Sequence, residues 1–385
     1  MGELSGTLQY FKGLEGVAVT ESSISYVDGV RGKLLYRGFD VEDLVEHSTF
    51  EEVAYLLWYG HLPSERELCE LREKLMKFRK LPEEYLKILK TFPLDVHPMD
   101  FLRASVSLLG LFAAPDECGK NTRMDCVIRL TAQLPMLVAI FHRRRMGEEP
   151  NLDVSEKLGH AANFLYMLRG KPPEPMEETI MDKALILHAE QEMNASTFAA
   201  VVTASTLSDM YSAVTSAIGT LKGPIHGGAN EKVVEMLEEI GDPEEAEDYV
   251  ERCLAEGRRI MGFGHRIYKT YDPRARILKK WAETLVNIRG GRAKRHFEIA
   301  MKLEKAVTER LGNKGIYPNV DFYSGIVYEC LGIPKDLFTT IFAVARVVGW
   351  TAHVIEYNET NRIFRPRAIY KGPMNLNYKI EKSKR

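Results

Sequence analysis

Three short segments of the 385-residue chain interrupt an otherwise helical pattern with polar side chains. The first reads Lys222-Gly223-Pro224-Ile225-His226-Gly227-Gly228-Ala229-Asn230. Pro224 cannot continue a helix, and the glycines let backbone or ligand come close. A helix restarts just after, with Val233, Val234 and Leu237 as its apolar face, which puts His226 at a helix N-terminus. The dipole there disfavours an imidazolium, so this histidine stays neutral and can donate a hydrogen bond to a carbonyl. The second segment runs Met261-Gly262-Phe263-Gly264-His265-Arg266 and on to Asp272-Pro273-Arg274. Its Gly-x-Gly lacks the third glycine and the preceding strand of a dinucleotide fingerprint. It reads instead as a loop that touches a ligand and ends in His265, with Arg274 suited to a bidentate carboxylate contact. The third segment is Tyr317-Pro318-Asn319-Val320-Asp321-Phe322-Tyr323-Ser324-Gly325. Asp321 is a lone carboxylate among apolar and aromatic neighbours, where desolvation raises its pKa and makes it a better base.

The elements that position these segments are helices. A Ser-x-x-Glu start at Ser48 and Glu51 opens a helix whose apolar run Val53, Leu56, Leu57 stops at Gly60 and Pro63. Ser64 and Glu67 repeat the signal, ahead of the stripe Leu68, Leu71, Leu75, Phe78. Further helices are expected over 99–114, 128–145, 176–188, 196–221, 275–285, 296–311 and 341–357. Strand signals are confined to 23–26 and 33–36, a short hairpin around Asp28-Gly29. The stretch 195–221 is rich in Ala, Ser, Thr and Gly, as for a deeply packed or interfacial helix. No linker separates two beads, so a small domain must be an excursion from a larger one.

Composition narrows the classes. A net charge of −2 gives no basic bias toward nucleic acid or an anionic membrane. No unbroken apolar run reaches the ~18–20 residues of a membrane span; the longest, around 106–114, is a buried-helix candidate. The N-terminus lacks the features of a signal peptide, so a cytoplasmic location is expected. The five cysteines are odd in number and form no Cys-x-x-Cys pair, which reads as free thiols.

Together, the three segments resemble the citrate synthase family. The resemblance runs through Gly-Pro-Ile-His226-Gly-Gly-Ala, Gly-Phe-Gly-His265-Arg with Asp-Pro-Arg274, and Pro-Asn-Val-Asp321-Phe-Tyr-Ser-Gly. It extends to Leu35-Tyr36-Arg37-Gly38-Phe39, to 49–57, to Ala345-Arg346-Val347-Val348-Gly349-Trp350 and to Arg365-Pro366-Arg367-Ala368. It implies an all-α, two-domain fold. A large domain would comprise 1–224 and 332–385, and a small domain, 225–331, would close over the substrates.

The family reaction condenses acetyl-CoA with oxaloacetate and hydrolyses the citryl thioester, with no metal and no further cofactor. By resemblance, Asp321 is the base, His226 the donor to the thioester carbonyl, and His265 the donor to the ketone. His188, Arg274, Arg346 and Arg365 match the oxaloacetate contacts, and Arg365 would come from the partner of a homodimer. The backbone of Ile260, Met261, Gly262, Phe263 and Gly264 matches the stretch that meets the CoA adenine. Lys314 and Arg367 are candidate phosphate contacts. One departure stands out: the family often reads His-Ala-Asp-His-Glu where this chain has His188-Ala189-Glu190-Gln191-Glu192.

Rival readings follow from the same residues. A 2-methylcitrate synthase would use propionyl-CoA with the same catalytic set. A metal-dependent hydrolase could ligate its ion through His226, His265 and Asp321, although no His-x-x-x-His spacing supports it. A non-catalytic scaffold would be expected to have lost one of these residues. The basic runs 143–145, 292–295 and 379–385 read as solvated surface.

Overall fold

Caps and breakers in the chain fix where its elements start and stop. A computed structural model of the protein describes residues 9–113 and 123–374. A hairpin of β1 (Ser25–Asp28) and β2 (Lys33–Tyr36) leads, with β3 (Phe39–Asp40) antiparallel beside β2. Tyr26 pairs with Leu35, and the alternation turns Leu34 and Tyr36 inward, where both are fully buried.

Sixteen α-helices follow among the described residues. The first eight are α1 (Val41–His47), α2 (Phe50–Tyr59), α3 (Glu65–Phe78), α4 (Glu83–Leu89), α5 (Pro98–Leu109), α6 (Arg123–Arg145), α7 (His160–Arg169) and α8 (Pro175–His188). Then come α9 (Ala195–Ser205), α10 (Met210–Leu221), α11 (Ala229–Ile240), α12 (Ala246–Glu256), α13 (Pro273–Arg289), α14 (Gly291–Leu311), α15 (Val320–Cys330) and α16 (Phe338–Glu359).

Several expectations shift by a residue or a break. The box that opens α2 uses Thr49 and Glu52 rather than Ser48 and Glu51. Glu51 is buried instead, accepting the His160 backbone N–H at 2.9 Å. Ser64 and Glu67 cap α3 as read. The stretch expected as one helix over 196–221 is two: Leu207 takes a left-handed φ of 63°, and Asp209 caps α10 by accepting the Ser212 N–H. The third polar segment leaves the helical pattern only through Asn319, whose side chain accepts the Asp321 N–H and starts α15.

α16 is the centre of the molecule. Every residue from Phe338 to Val354 is buried, and the helix packs against α2, α6, α8, α9 and α10. A helix apolar on all sides has no solvent face to offer. α6 and α16 are both long and apolar enough, by length and composition, to cross a membrane, which corrects the expectation that no segment is. Single polar residues such as Gln133 and Arg346 break the runs while leaving the mean hydropathy high. Both helices are mostly buried inside the protein. α11 to α15 pack chiefly on one another.

Cys69, Cys253 and Cys330 are free, but Cys126 in α6 is disulfide-bonded, which corrects the all-thiol reading. A bridge needs only a short Cα separation, and sequence spacing does not display it. Residues 1–6, Ala114, Cys118 and the basic tail 379–385 lie outside the described residues.

The hairpin turn rests on the loop that carries His265. A Cβ at Gly29 would stand 2.3 Å from the Ile267 carbonyl oxygen, so only glycine permits this approach. The Lys269 N–H donates to the Gly29 carbonyl at 2.8 Å.

Candidate active site

His226 stands in the turn between α10 and α11, where the Gly227 N–H donates back to the Leu221 carbonyl at 3.0 Å. Its Nε2 accepts the backbone N–H of Ser196 at 3.3 Å and lies 2.8 Å from Ser196 Oγ. A backbone N–H can only donate, so the neutral ring carries its proton on Nδ1. Ser196 is itself pinned: Oγ donates to Asn194 Oδ1 at 2.8 Å and accepts from Trp350 Nε1 at 3.0 Å. Burial pushes the His226 pKa down to about 4, with the Arg346 charge acting the same way. The ring is neutral, as expected, but through burial rather than through a helix dipole, since α11 begins three residues later.

His265 is fixed by its own loop. Its Nδ1 accepts the N–H groups of Ile267 and Tyr268, both at 3.1 Å, which puts the proton on Nε2. Burial, then the charge of Arg274, pushes its pKa down to about 4. The loop is zipped to the segment before Asp321. Gly264 N–H donates to the Tyr317 carbonyl, and Asn319 N–H to the Gly262 carbonyl, both at 2.9 Å. Asn319 Nδ2 adds a bond to the Gly264 carbonyl at 2.9 Å. Gly262 has φ 78°, and a Cβ there would come within 2.8 Å of Phe322 and Val233.

Asp321 sits in the first turn of α15. The residue is only partly buried, yet its Oδ1 is shielded and has no partner. Burial pushes its pKa up to about 7; the charges of Arg274 and Arg346 oppose this, and that of Asp272 adds to it. Asp321, Arg274 and Arg346 are therefore within electrostatic reach of one another. Tyr328, two turns on along α15, is fully buried with an unpartnered hydroxyl and feels the Asp321 charge.

Two arginines are wholly enclosed. Arg274 donates Nε and Nη2 to the two oxygens of Asp272, at 3.0 and 2.8 Å, while Asp272 also caps α13. Arg346, in the middle of α16, donates Nε to the His188 carbonyl at 2.6 Å, and its Nη2 has no partner. His188 Nδ1 donates to the Ala184 carbonyl at 2.7 Å, which leaves Nε2 as a buried, unpartnered lone pair. Burial holds the His188 pKa down at about 3. Unpaired buried polar atoms are rare in proteins. A cluster of them on His188, Asp321, Tyr328 and Arg346 marks a place built for a polar ligand.

Of the remaining sequence candidates, the 260–264 stretch borders the Asp321 helix, whereas Lys314, Arg365 and Arg367 contribute no contact to the cluster among the described residues. Ile260 is buried, and Phe263 packs on Phe322 with ring centroids 4.5 Å apart. Lys314, Arg365 and Arg367 are exposed, the arginines in the extended tail after α16. Among the described residues, Arg365 Nη1 donates to its neighbour's carbonyl, that of Pro366, at 2.9 Å. Ser196, Asp272 and Tyr328 were not singled out from the sequence. Ser and Asp at helix starts look like ordinary caps, and a tyrosine in an apolar helix looks like core. Among the described residues, no group of three His, Cys, Asp or Glu side chains is placed to hold a metal ion.

Residues 13–367 match the family model described as citrate synthase, C-terminal domain. A citrate synthase of Synechocystis is 51% identical over 368 residues, covering 95% of this chain and 92% of the relative. A 2-methylcitrate synthase of Shewanella oneidensis is 43% identical, covering 94% of each chain. Among solved structures, the ternary complex of carboxymethyl coenzyme A and oxaloacetate with citrate synthase from Thermoplasma acidophilum superposes with a TM-score of 0.91. It is 38% identical and covers 97% of this chain and 99% of that one.

Proposed function

Because the chain belongs to the citrate synthase family of acyltransferases, we propose that it joins acetyl-CoA to oxaloacetate and hydrolyses the resulting citryl-CoA. Its fold is the all-α fold of that family. Asp321 takes a proton from the methyl group of the thioester. His226 donates from Nδ1 to the thioester oxygen, so the enol forms without a free charge on oxygen. The enol carbon attacks the ketone carbon of oxaloacetate. His265 donates from Nε2 to the ketone oxygen and supplies its proton. Water then cleaves the thioester. Acetyl-CoA, oxaloacetate and water enter, and citrate and CoA leave, so no electron acceptor is needed and no further cofactor is assigned.

One observation carries this reading: Asp321, with an unpartnered carboxyl oxygen and a pKa raised to about 7, feels the charges of Arg274 and Arg346, which also act on two neutral histidines of fixed tautomer, His265 and His226. A base titrating near ambient pH and donors that cost no reorganisation are what enolisation needs. Arg274, Arg346 and His188 are assigned to oxaloacetate; His188 Nε2 must take up a proton to bind a carboxylate oxygen. Arg365 is assigned to the partner subunit's site in a homodimer, since its guanidinium is free of the cluster in its own chain. The backbone of 260–264 is assigned to the CoA adenine, and Lys314 and Arg367 to its phosphates. Residues 225–331 form the small, closing domain, a division supported by the mutual packing of α11 to α15. The enzyme works in the cytoplasm.

Propionyl-CoA is the second reading, supported by the likeness to a 2-methylcitrate synthase. One methylene is worth roughly 1–3 kcal/mol of discrimination. Release of free CoA thiol with oxaloacetate, measured for both thioesters with chelator present, decides between them. Faster turnover of acetyl-CoA that survives the chelator is the expected result. Preference for propionyl-CoA moves the substrate but keeps the mechanism, and silence with both overturns the function.

A further inference from the structure

Beneath the cluster lies another buried carboxylate, two residues beyond His188. Glu190 is fully enclosed. Its Oε1 accepts from Ser25 Oγ at 3.0 Å and lies 2.8 Å from His353 Nε2. Its Oε2 is shielded and unpartnered, packed over Gly349, where a Cβ would stand 2.1 Å away. The backbone is held as firmly. The Tyr36 hydroxyl donates to the Glu190 carbonyl at 2.9 Å and accepts its N–H at 3.2 Å. Contacts from β1, β2 and α16 therefore converge on the segment that follows α8.

The charges explain why an acid belongs there. Arg274 and Arg346 are both fully buried, and each repels the other. Arg274 has Asp272 in direct contact. Arg346 touches no carboxylate; burial pulls its pKa down to about 10, and Glu190 is the largest charge opposing that fall. A carboxylate in contact, as at Arg274, would occupy the guanidinium. One held back by His353 and Ser25 balances the Arg346 charge from the same face of α16, where Gly349 and His353 stand one and two turns beyond Arg346, and leaves Nη2 open.

We propose that Glu190 is a positioning residue for oxaloacetate, supplying the counter-charge that keeps the Arg346 guanidinium aimed at a substrate carboxylate. The inference rests on the reading of the site given above. Glu190 touches neither substrate; it acts through Arg346 and through the His188 carbonyl that Arg346 holds. The glutamate side chain reaches Ser25 and His353 across the space left by Gly349.

Steady-state kinetics on the full-length enzyme test this. Glu190→Gln should raise the KM for oxaloacetate by about tenfold, with the KM for acetyl-CoA moving less than about twofold, because only one substrate meets Arg346. Glu190→Asp should recover part of the loss. Glu190→Gln combined with His353→Asn should be no worse than Glu190→Gln alone, since the two act as one unit. Ser25→Ala is a milder probe should Glu190→Gln fail to fold, with an expected rise of about twofold in the oxaloacetate KM and a small fall in Tm, since Ser25 Oγ also accepts the Glu192 N–H. Equal rises for both substrates, or a lower Tm with the oxaloacetate KM unmoved, overturn the proposal. No thiol release from the wild-type enzyme would instead overturn the reading of the site on which it rests.

Discussion

Three imidazoles feel the charge of Arg274 or Arg346, and each has its proton placed by a group that can act in only one way. Ser196 N–H leaves His226 a donor at Nδ1, and the N–H groups of Ile267 and Tyr268 leave His265 a donor at Nε2. The Ala184 carbonyl leaves His188 a lone pair at Nε2. With all three pKa values at about 3 to 4, none of them titrates near neutrality, and Asp321 does. The base must be ionised and its pKa is raised to about 7. So kcat/KM for acetyl-CoA should climb tenfold per pH unit below about pH 7 and level off above it. Asp321→Asn should remove that limb and lower kcat by about 10²–10⁴-fold. A wild-type profile flat from pH 6 to 8 would mean that another group is the base. His226, His265, Asp321 and Arg274 were legible because glycines and prolines set their segments apart. Ser196 and Asp272 were not, because the same residue types cap helices everywhere.

At the scale of elements, amphipathic stripes were legible and breaks inside apolar stretches were not. The split between α9 and α10 turns on Leu207 and the cap at Asp209, four residues in a run that is otherwise uniformly helical in composition. α15 begins at Asn319 because that side chain reaches both the Asp321 N–H and the Gly264 carbonyl, a contact over 55 positions that no local window contains. The same zipper ties the His265 loop to the Asp321 helix. On the proposed division of domains, Asp321 and His265 would travel with α11 to α15, whereas Arg346 and His188 belong to α16 and α8. Closure of the first group on the second would assemble the site and expel water. Small-angle scattering should then give a smaller radius of gyration with oxaloacetate than without it. An unchanged curve at saturating ligand would argue for a preformed site.

For the whole molecule, the exposed position of Arg365 makes assembly part of catalysis on the proposed reading. Asp321→Asn and Arg365→Ala chains should each be nearly inactive. Dissociated and mixed in equal amounts, they should recover about one quarter of the wild-type rate, because half the dimers are mixed and each has one intact site. No recovery on mixing would place Arg365 in its own chain's site. The central helix has a further consequence, for the order in which the protein can be made. Trp58 donates to the Val348 carbonyl across 290 positions, and Ser23 is held by Glu356 across 333. α2, α6, α8, α9 and α10 all pack on a helix that the ribosome adds after every one of them. At about 5–20 residues per second, the earliest helices wait on the order of tens of seconds with their apolar faces uncovered. The nascent chain is therefore most in need of a chaperone just before α16 is made, and a chain stopped short of Phe338 lacks the helix that those five pack around.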